Sequence, residues 1–101
     1  MGRQIKIDLC NLERTFQKSL KDIPSQIAKR GIAIADEISH HKVNPSVFDG
    51  KRLHINKKIL TVKVGNRHRL LMAETETGFE PWQCISHERY NKLYMRISNK
   101  H

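Results

Sequence analysis

Apolar residues recur every three or four positions in the first part of the chain and every second position further on. Leu9, Leu12, Phe16, Leu20 and Ile23 share one stripe of a helix, and Asp8 is the expected N-cap. Pro24 breaks that pattern and suits the first turn of a second helix. The second helix presents Ile27, Ile34 and Ile38, with Ala28, Gly31 and Ala35 between them. These small residues are expected to let the first helix approach closely, and the short connection predicts an antiparallel helical hairpin. Asn44-Pro45-Ser46 stops the helical pattern, Phe48 is expected to re-enter the core, and Asp49-Gly50 turns the chain into strands.

Leu53, His54 and Ile55 read as a short strand, followed by a turn at Asn56-Lys57-Lys58. Leu60, Val62 and Val64 alternate with Thr61 and Lys63, the pattern of a half-buried strand. Gly65-Asn66 is a hairpin turn, Leu70 and Met72 alternate with Arg69, Leu71 and Ala73, and Glu76-Thr77-Gly78 is a second turn. A last strand runs from Trp82 to Ser86, with Pro81 limiting pairing at its start. A short helix from Glu88 to about Tyr94 would line up Tyr90, Leu93, Tyr94 and Ile97, and a polar tail from Ser98 follows. Trp82 and Tyr94 are expected in or beside the core, and His54 and His68 on the surface.

Helices first and strands afterwards predict an α+β fold, with the N-terminal helical hairpin packed on one face of a small antiparallel meander. The other sheet face is expected to be open and lined by the polar parity of each strand. At 101 residues the chain is expected to form one domain spanning positions 1–101.

Charge adds direction to this picture. Residues 1–50 hold eight Lys/Arg against six Asp/Glu, for +2; residues 51–101 hold eleven against four, for +7. The basic excess lies on the strand-rich half, which points to a polyanionic partner. A hydrophobic fraction of 38% with clear periodicity argues against disorder. Cys10 and Cys84 lack zinc spacing and read as two buried, reduced thiols of a cytoplasmic protein. His40-His41 closes the second helix, and adjacent histidines point in different directions, so no metal or other cofactor is expected there. The chain shows neither a secretion signal nor an apolar membrane span.

The stretch from Thr61 to Tyr94 carries the candidate chemistry. Lys63, Arg67, Arg69 and His87 fall near turns and strand ends. These are the residue types needed to hold and cleave an RNA phosphodiester: cations for the phosphate, and an imidazole to move protons. Strand parity puts Lys63, Arg69 and His87 on the open face, with Arg67 at its rim.

Several short motifs extend this reading. Pro24 starts the second helix, Asn44-Pro45 follows it, and Lys51-Arg52-Leu53 opens the strands. Val62-Lys63-Val64-Gly65 then leads to Arg69-Leu70-Leu71, and Ser86-His87 precedes Tyr90. Over roughly residues 9 to 95 this pattern resembles the RelE/ParE superfamily of bacterial toxins. The resemblance implies a type II toxin whose RNase branch sits in the ribosomal decoding site and cuts mRNA without a metal. There Arg69 would stabilise the phosphate, and His87 would act as acid or base. Tyr90 would stack on or orient a base, although it stands three residues past His87 rather than adjacent to it. Lys51, Arg52, Lys57 and Lys58 would supply charge for the RNA backbone. Some members use a glutamate near the first strand as base, yet no carboxylate lies between Gly50 and Ala73, which leaves His87 or Lys63 to take the proton.

Three readings remain open at this point: an mRNA-cleaving toxin, a non-catalytic ParE-like inhibitor of DNA gyrase, and a basic nucleic-acid-binding module. A toxin of either kind would need a cognate antitoxin. The resemblance implies that an acidic, amphipathic antitoxin segment wraps the helical hairpin or covers the basic face.

Overall fold

The computed structural model describes residues 9–54 and 56–98. The expected Asp8 cap, the Leu9, Ile97 and Ser98 side chains, the strand position at Ile55 and the polar tail after Ser98 lie outside what is described. A 3-10 turn at Leu9–Asn11 leads into helix α1, Leu12–Leu20, and Pro24 precedes helix α2, Ser25–Ser39. A second 3-10 turn, Pro45–Phe48, is started by Asn44, whose side-chain oxygen accepts the Ser46 N–H at 3.0 Å. Four strands follow: β1 Lys51–Arg52, β2 Ile59–Val64, β3 His68–Thr75 and β4 Gly78–Ser86. They pair antiparallel in sequence order, and helix α3, His87–Ser98, closes the described chain.

The α+β architecture and the meander agree with the sequence pattern. The first strand is Lys51–Arg52 rather than Leu53–Ile55, β4 begins at Gly78 rather than Trp82, and α3 takes in His87. Pro81 is accommodated by an irregularity: Leu71 pairs with Gln83 but Met72 with Pro81, so Trp82 is the extra residue on β4.

Strand alternation sorts the core into two clusters. Leu60, Val62, Val64, Leu70, Met72 and Cys84 face the hairpin, where Phe16, Ile34, Ala35 and Ile38 cover them. Ile59, Leu71, Ala73, Trp82 and Ile85 form a second cluster on the other side with Leu12 and Leu53, and Tyr90, Leu93 and Tyr94 of α3 pack against it. The second face is therefore not open along its length. The run Leu70-Leu71-Met72-Ala73 is apolar at both parities, each residue no more than 1% exposed, which a strand covered on both sides requires. Lys63 and Arg69 keep this face polar near the β2–β3 turn.

The small residues of α2 also serve a different neighbour from the one expected. A Cβ added at Gly31 would stand 3.0 Å from the Cys84 Sγ, so Gly31 lets α2 approach β4 rather than α1. Burial pushes the Cys84 thiol up to about 11, and it packs as an apolar group. Cys10 departs from expectation: it is exposed, because it sits in the 3-10 turn before α1 rather than on the buried stripe.

α1 lies against β4, the edge strand. The buried Ser19 hydroxyl accepts the Cys84 N–H at 3.0 Å and donates to the Phe16 carbonyl at 2.7 Å. An edge N–H that would otherwise be buried without a partner is thereby satisfied. Ser19→Ala is expected to destabilise the protein by about 1–3 kcal/mol, the cost of an orphaned buried donor. Urea unfolding measures this, and an unchanged midpoint would show that the edge does not depend on the hydroxyl.

Candidate functional site

The β2–β3 hairpin places two cations opposite each other. Lys63 and Arg69 are register partners, so their side chains share one sheet face, and Ile85 of β4 is Arg69's other partner. Gly65 allows the tight loop between the strands by adopting a φ of +69°. The same loop anchors the start of α3, since the His87 N–H donates to the Arg67 carbonyl at 2.7 Å. Ser86 caps that helix, its hydroxyl accepting the Arg89 N–H at 3.3 Å. Strand end, helix start and hairpin loop thus meet at one point.

Lys63, Asn66, His68, Arg69 and His87 line a cavity of about 240 Å³ at this junction. An adjoining cavity of about 420 Å³ is lined by Asp49, Lys51, Thr61, Lys63 and Arg69. Lys63 and Arg69 border both, so the two form one trough, cationic through most of its length. The register Lys51↔Thr61 brings the first strand into it.

Arg69 is held from behind. Its guanidinium carbon sits 4.6 Å from the Tyr90 ring centroid, and the Tyr90 ring stacks with His87 at 6.3 Å and 27°. Tyr90 in turn packs toward Tyr94, with ring centroids 6.1 Å apart. Burial raises the Tyr90 phenol above its ordinary range, partly offset by the Arg69 charge, while Tyr94 raises it further. It is a neutral platform beneath a fixed cation. The Arg69 Nε is buried with no hydrogen-bond partner, and Arg69 forms no salt bridge among the described residues. A guanidinium left uncompensated in this way is suited to receive an anion.

The expected RNA-backbone residues divide by position. Lys51 lies in the trough, and Arg67 contributes its carbonyl to the anchor on His87. Lys57 and Lys58 stand in the turn that leads into the far end of β2, about 16–20 Å from Lys63 by strand rise. Arg52 pairs with Leu60, on the parity that faces the hairpin, and it is already engaged. Its Nη1 donates to Glu74 at 2.7 Å and to the Lys57 carbonyl at 2.7 Å, and its guanidinium lies over the Phe79 ring at 5.1 Å.

That pair has a pH signature. The hydrogen bond from Arg52 holds the Glu74 carboxyl below its ordinary range, against an opposing effect of desolvation and with help from the Arg52 and Lys58 charges. A carboxylate depressed on folding stabilises above its unfolded pKa, and the contribution is lost as pH falls through the folded value. Wild type is therefore expected to lose more stability than Glu74→Gln between about pH 5 and pH 3. Chemical denaturation at a series of pH values measures the difference, and parallel curves would refute it.

Asn66, His68, Thr61 and Asp49 line the trough without having been singled out by sequence reasoning. The hairpin offers a local signal for the first two, which flank Arg67. Asp49 is the notable omission. It adopts a left-handed φ of +58° just before β1, which brings a carboxylate to a trough whose other lining residues carry none.

The paired histidines at the end of α2 are already engaged. His40 and His41 contact Asp36 and Glu37 one turn earlier, each at 2.7 Å. No helix among the described residues is long and apolar enough to cross a membrane. In comparison with known proteins, the family model for a ParE-like toxin domain matches residues 25–92, from the start of α2 into α3. No curated protein and no solved structure matches the chain.

Proposed function

The chain belongs to the ParE-like toxin family of the RelE/ParE superfamily and so represents the toxin of a toxin–antitoxin pair; we propose that it acts as an endoribonuclease on ribosome-bound mRNA, with the RNA's own 2′-hydroxyl as nucleophile. The observation that carries this reading is the convergence of Lys63, Arg69 and His87 on one cavity, with Arg69 uncompensated and backed by Tyr90. In the reaction the 2′-oxygen loses its proton and bonds to the adjacent phosphorus. The bond from phosphorus to the 5′-oxygen breaks, and that oxygen takes up a proton. Arg69 and Lys63 hold the non-bridging oxygens as charge builds on them, and His87 transfers a proton. Lys51 and Arg67 steer the strand.

The test is purified protein incubated with translating ribosomes and with free mRNA. Cleavage leaving a 2′,3′-cyclic phosphate or its 3′-phosphate product, and a 5′-hydroxyl, supports the assignment; intact mRNA under both conditions rejects it. The ParE-like family description favours one second reading, a non-catalytic inhibitor of DNA gyrase, because one fold can host both activities. Induced expression separates the two: fragmented mRNA supports the nuclease, and cleaved or relaxed plasmid supports the gyrase inhibitor.

Family membership also implies an antitoxin. An acidic antitoxin segment is better suited to the trough than to the helical side. The groove between α1 and α2, of about 250 Å³, already carries Glu13, Asp36 and Glu80 beside Phe16 and Ile32. Like charges would oppose an acidic segment there.

A further inference from the structure

A second concave cationic surface lies on the same α3 helix that borders the trough. Helical spacing puts His87, Tyr90 and Tyr94 on one stripe and Arg89, Lys92 and Arg96 on the opposite one. The second stripe does not stand free on a convex surface. With Gln83 and Ile85 of β4 and Leu93 of α3, it lines a cleft of about 280 Å³ that contains no carboxylate.

The cations in this cleft are available. Lys92 and Arg96 form no salt bridge among the described residues, and Glu88, one turn before Lys92, is not in ion-pair contact with it. Arg89 contacts Asp22 at 3.2 Å, but the two side chains are 60% and 63% exposed. Such a pair contributes little and yields readily to a phosphate. From Arg89 to Arg96 the stripe runs about 10 Å along the helix axis. Ile85 and Leu93 supply an apolar floor, and Gln83 supplies an amide that can donate and accept.

We propose that this cleft is a second binding site for the backbone of single-stranded RNA, separate from the trough where cleavage is assigned. It rests on the nuclease reading for the identity of the polyanion. A strand occupying both sites crosses the first turn of α3, where His87 and Ser86 join helix to sheet. The cleft then grips a stretch of RNA displaced from the scissile phosphate, and α3 is a two-sided element: its Tyr90 flank supports Arg69, and its Arg89–Arg96 flank holds the strand.

The experiment is fluorescence anisotropy with a labelled twelve-nucleotide 2′-O-methyl RNA, which cannot be cleaved, titrated over a range of salt. Lys92→Glu/Arg96→Glu is expected to weaken binding at least tenfold and to lower the log–log salt slope by about 1.4, roughly 0.7 for each lost phosphate contact. A matched charge reversal on α2, Lys29→Glu/Arg30→Glu, is expected to change binding much less; an equal loss would overturn the cleft as a specific site. Unchanged affinity and slope in the α3 variant would overturn it as well, as would a poly-glutamate peptide that competes as strongly as unlabelled RNA. The outcome is separable from the nuclease assignment. Salt-dependent RNA binding through α3, with no cleavage of unmodified mRNA, keeps the cleft and removes the nuclease; cleavage with no α3 effect does the reverse.

Discussion

Arg69→Ala is expected to lower RNA cleavage about 10²–10³-fold, the range seen when one preorganised donor to a developing oxyanion is removed. The size follows from the setting rather than from charge alone. Arg69 sits where both cavities of the trough meet, is stacked on Tyr90, and forms no salt bridge among the described residues. Its charge is therefore presented to a ligand without first leaving a protein carboxylate. Arg69→Lys should recover little of the loss. An ammonium keeps the charge but lacks the planar fork and the face that rests on the Tyr90 ring. Single-turnover cleavage of a defined mRNA is the measurement, with the urea midpoint as a control for folding. A lysine variant as active as wild type would leave charge as the only requirement, and an alanine variant as active would remove Arg69 from the chemistry.

The parts of the structure that follow short-range rules were legible in the sequence. Period-two alternation in Leu60–Val64 identifies which residues face the hairpin, and the same parity puts Lys63 and Arg69 on one face, where register makes them direct partners. The opposite face reads as open only if β3 alternates as β2 does, and it does not. Leu71 and Ala73 stand at what would be the outward parity of a half-buried strand, whereas a four-residue apolar run signals cover on both sides. That cover is α3, through Tyr90, Leu93 and Tyr94. Once α3 lies on this face, the offset of Tyr90 from His87 acquires a physical account. On a helix, positions three apart share a side, so Tyr90 reaches Arg69 and His87 together. Asp49 reads in the sequence as a turn residue and no more, for a different reason. Its place in the trough depends on a left-handed turn and on β1 pairing, and neither leaves a periodic trace. Arg52 likewise reads as one more basic residue until register sets it on the hairpin side, opposite Glu74.

His87→Ala is expected to reduce cleavage by about 10²–10⁴-fold, the usual contribution of a positioned acid or base, while binding of the uncleavable RNA changes little. The geometry favours a role for this side chain at the leaving group or the nucleophile. Its backbone is fixed by the bond to Arg67, its ring rests on Tyr90, and it lines the same cavity as Lys63 and Arg69. The two roles differ in what would replace them. A substrate whose scissile 5′-oxygen is exchanged for sulfur leaves as a thiolate and needs no acid. If His87 protonates the leaving group, the alanine variant should cleave this substrate nearly as fast as wild type does. If His87 instead removes the proton from the 2′-hydroxyl, sulfur gives no relief, and added imidazole should restore part of the rate on the ordinary substrate. The proton acceptor in the first case would have to be another group in the trough, where Asp49 and Lys63 both stand. Full activity of His87→Ala on unmodified RNA would exclude both roles and leave the imidazole as part of the Tyr90 stack that holds Arg69 in place.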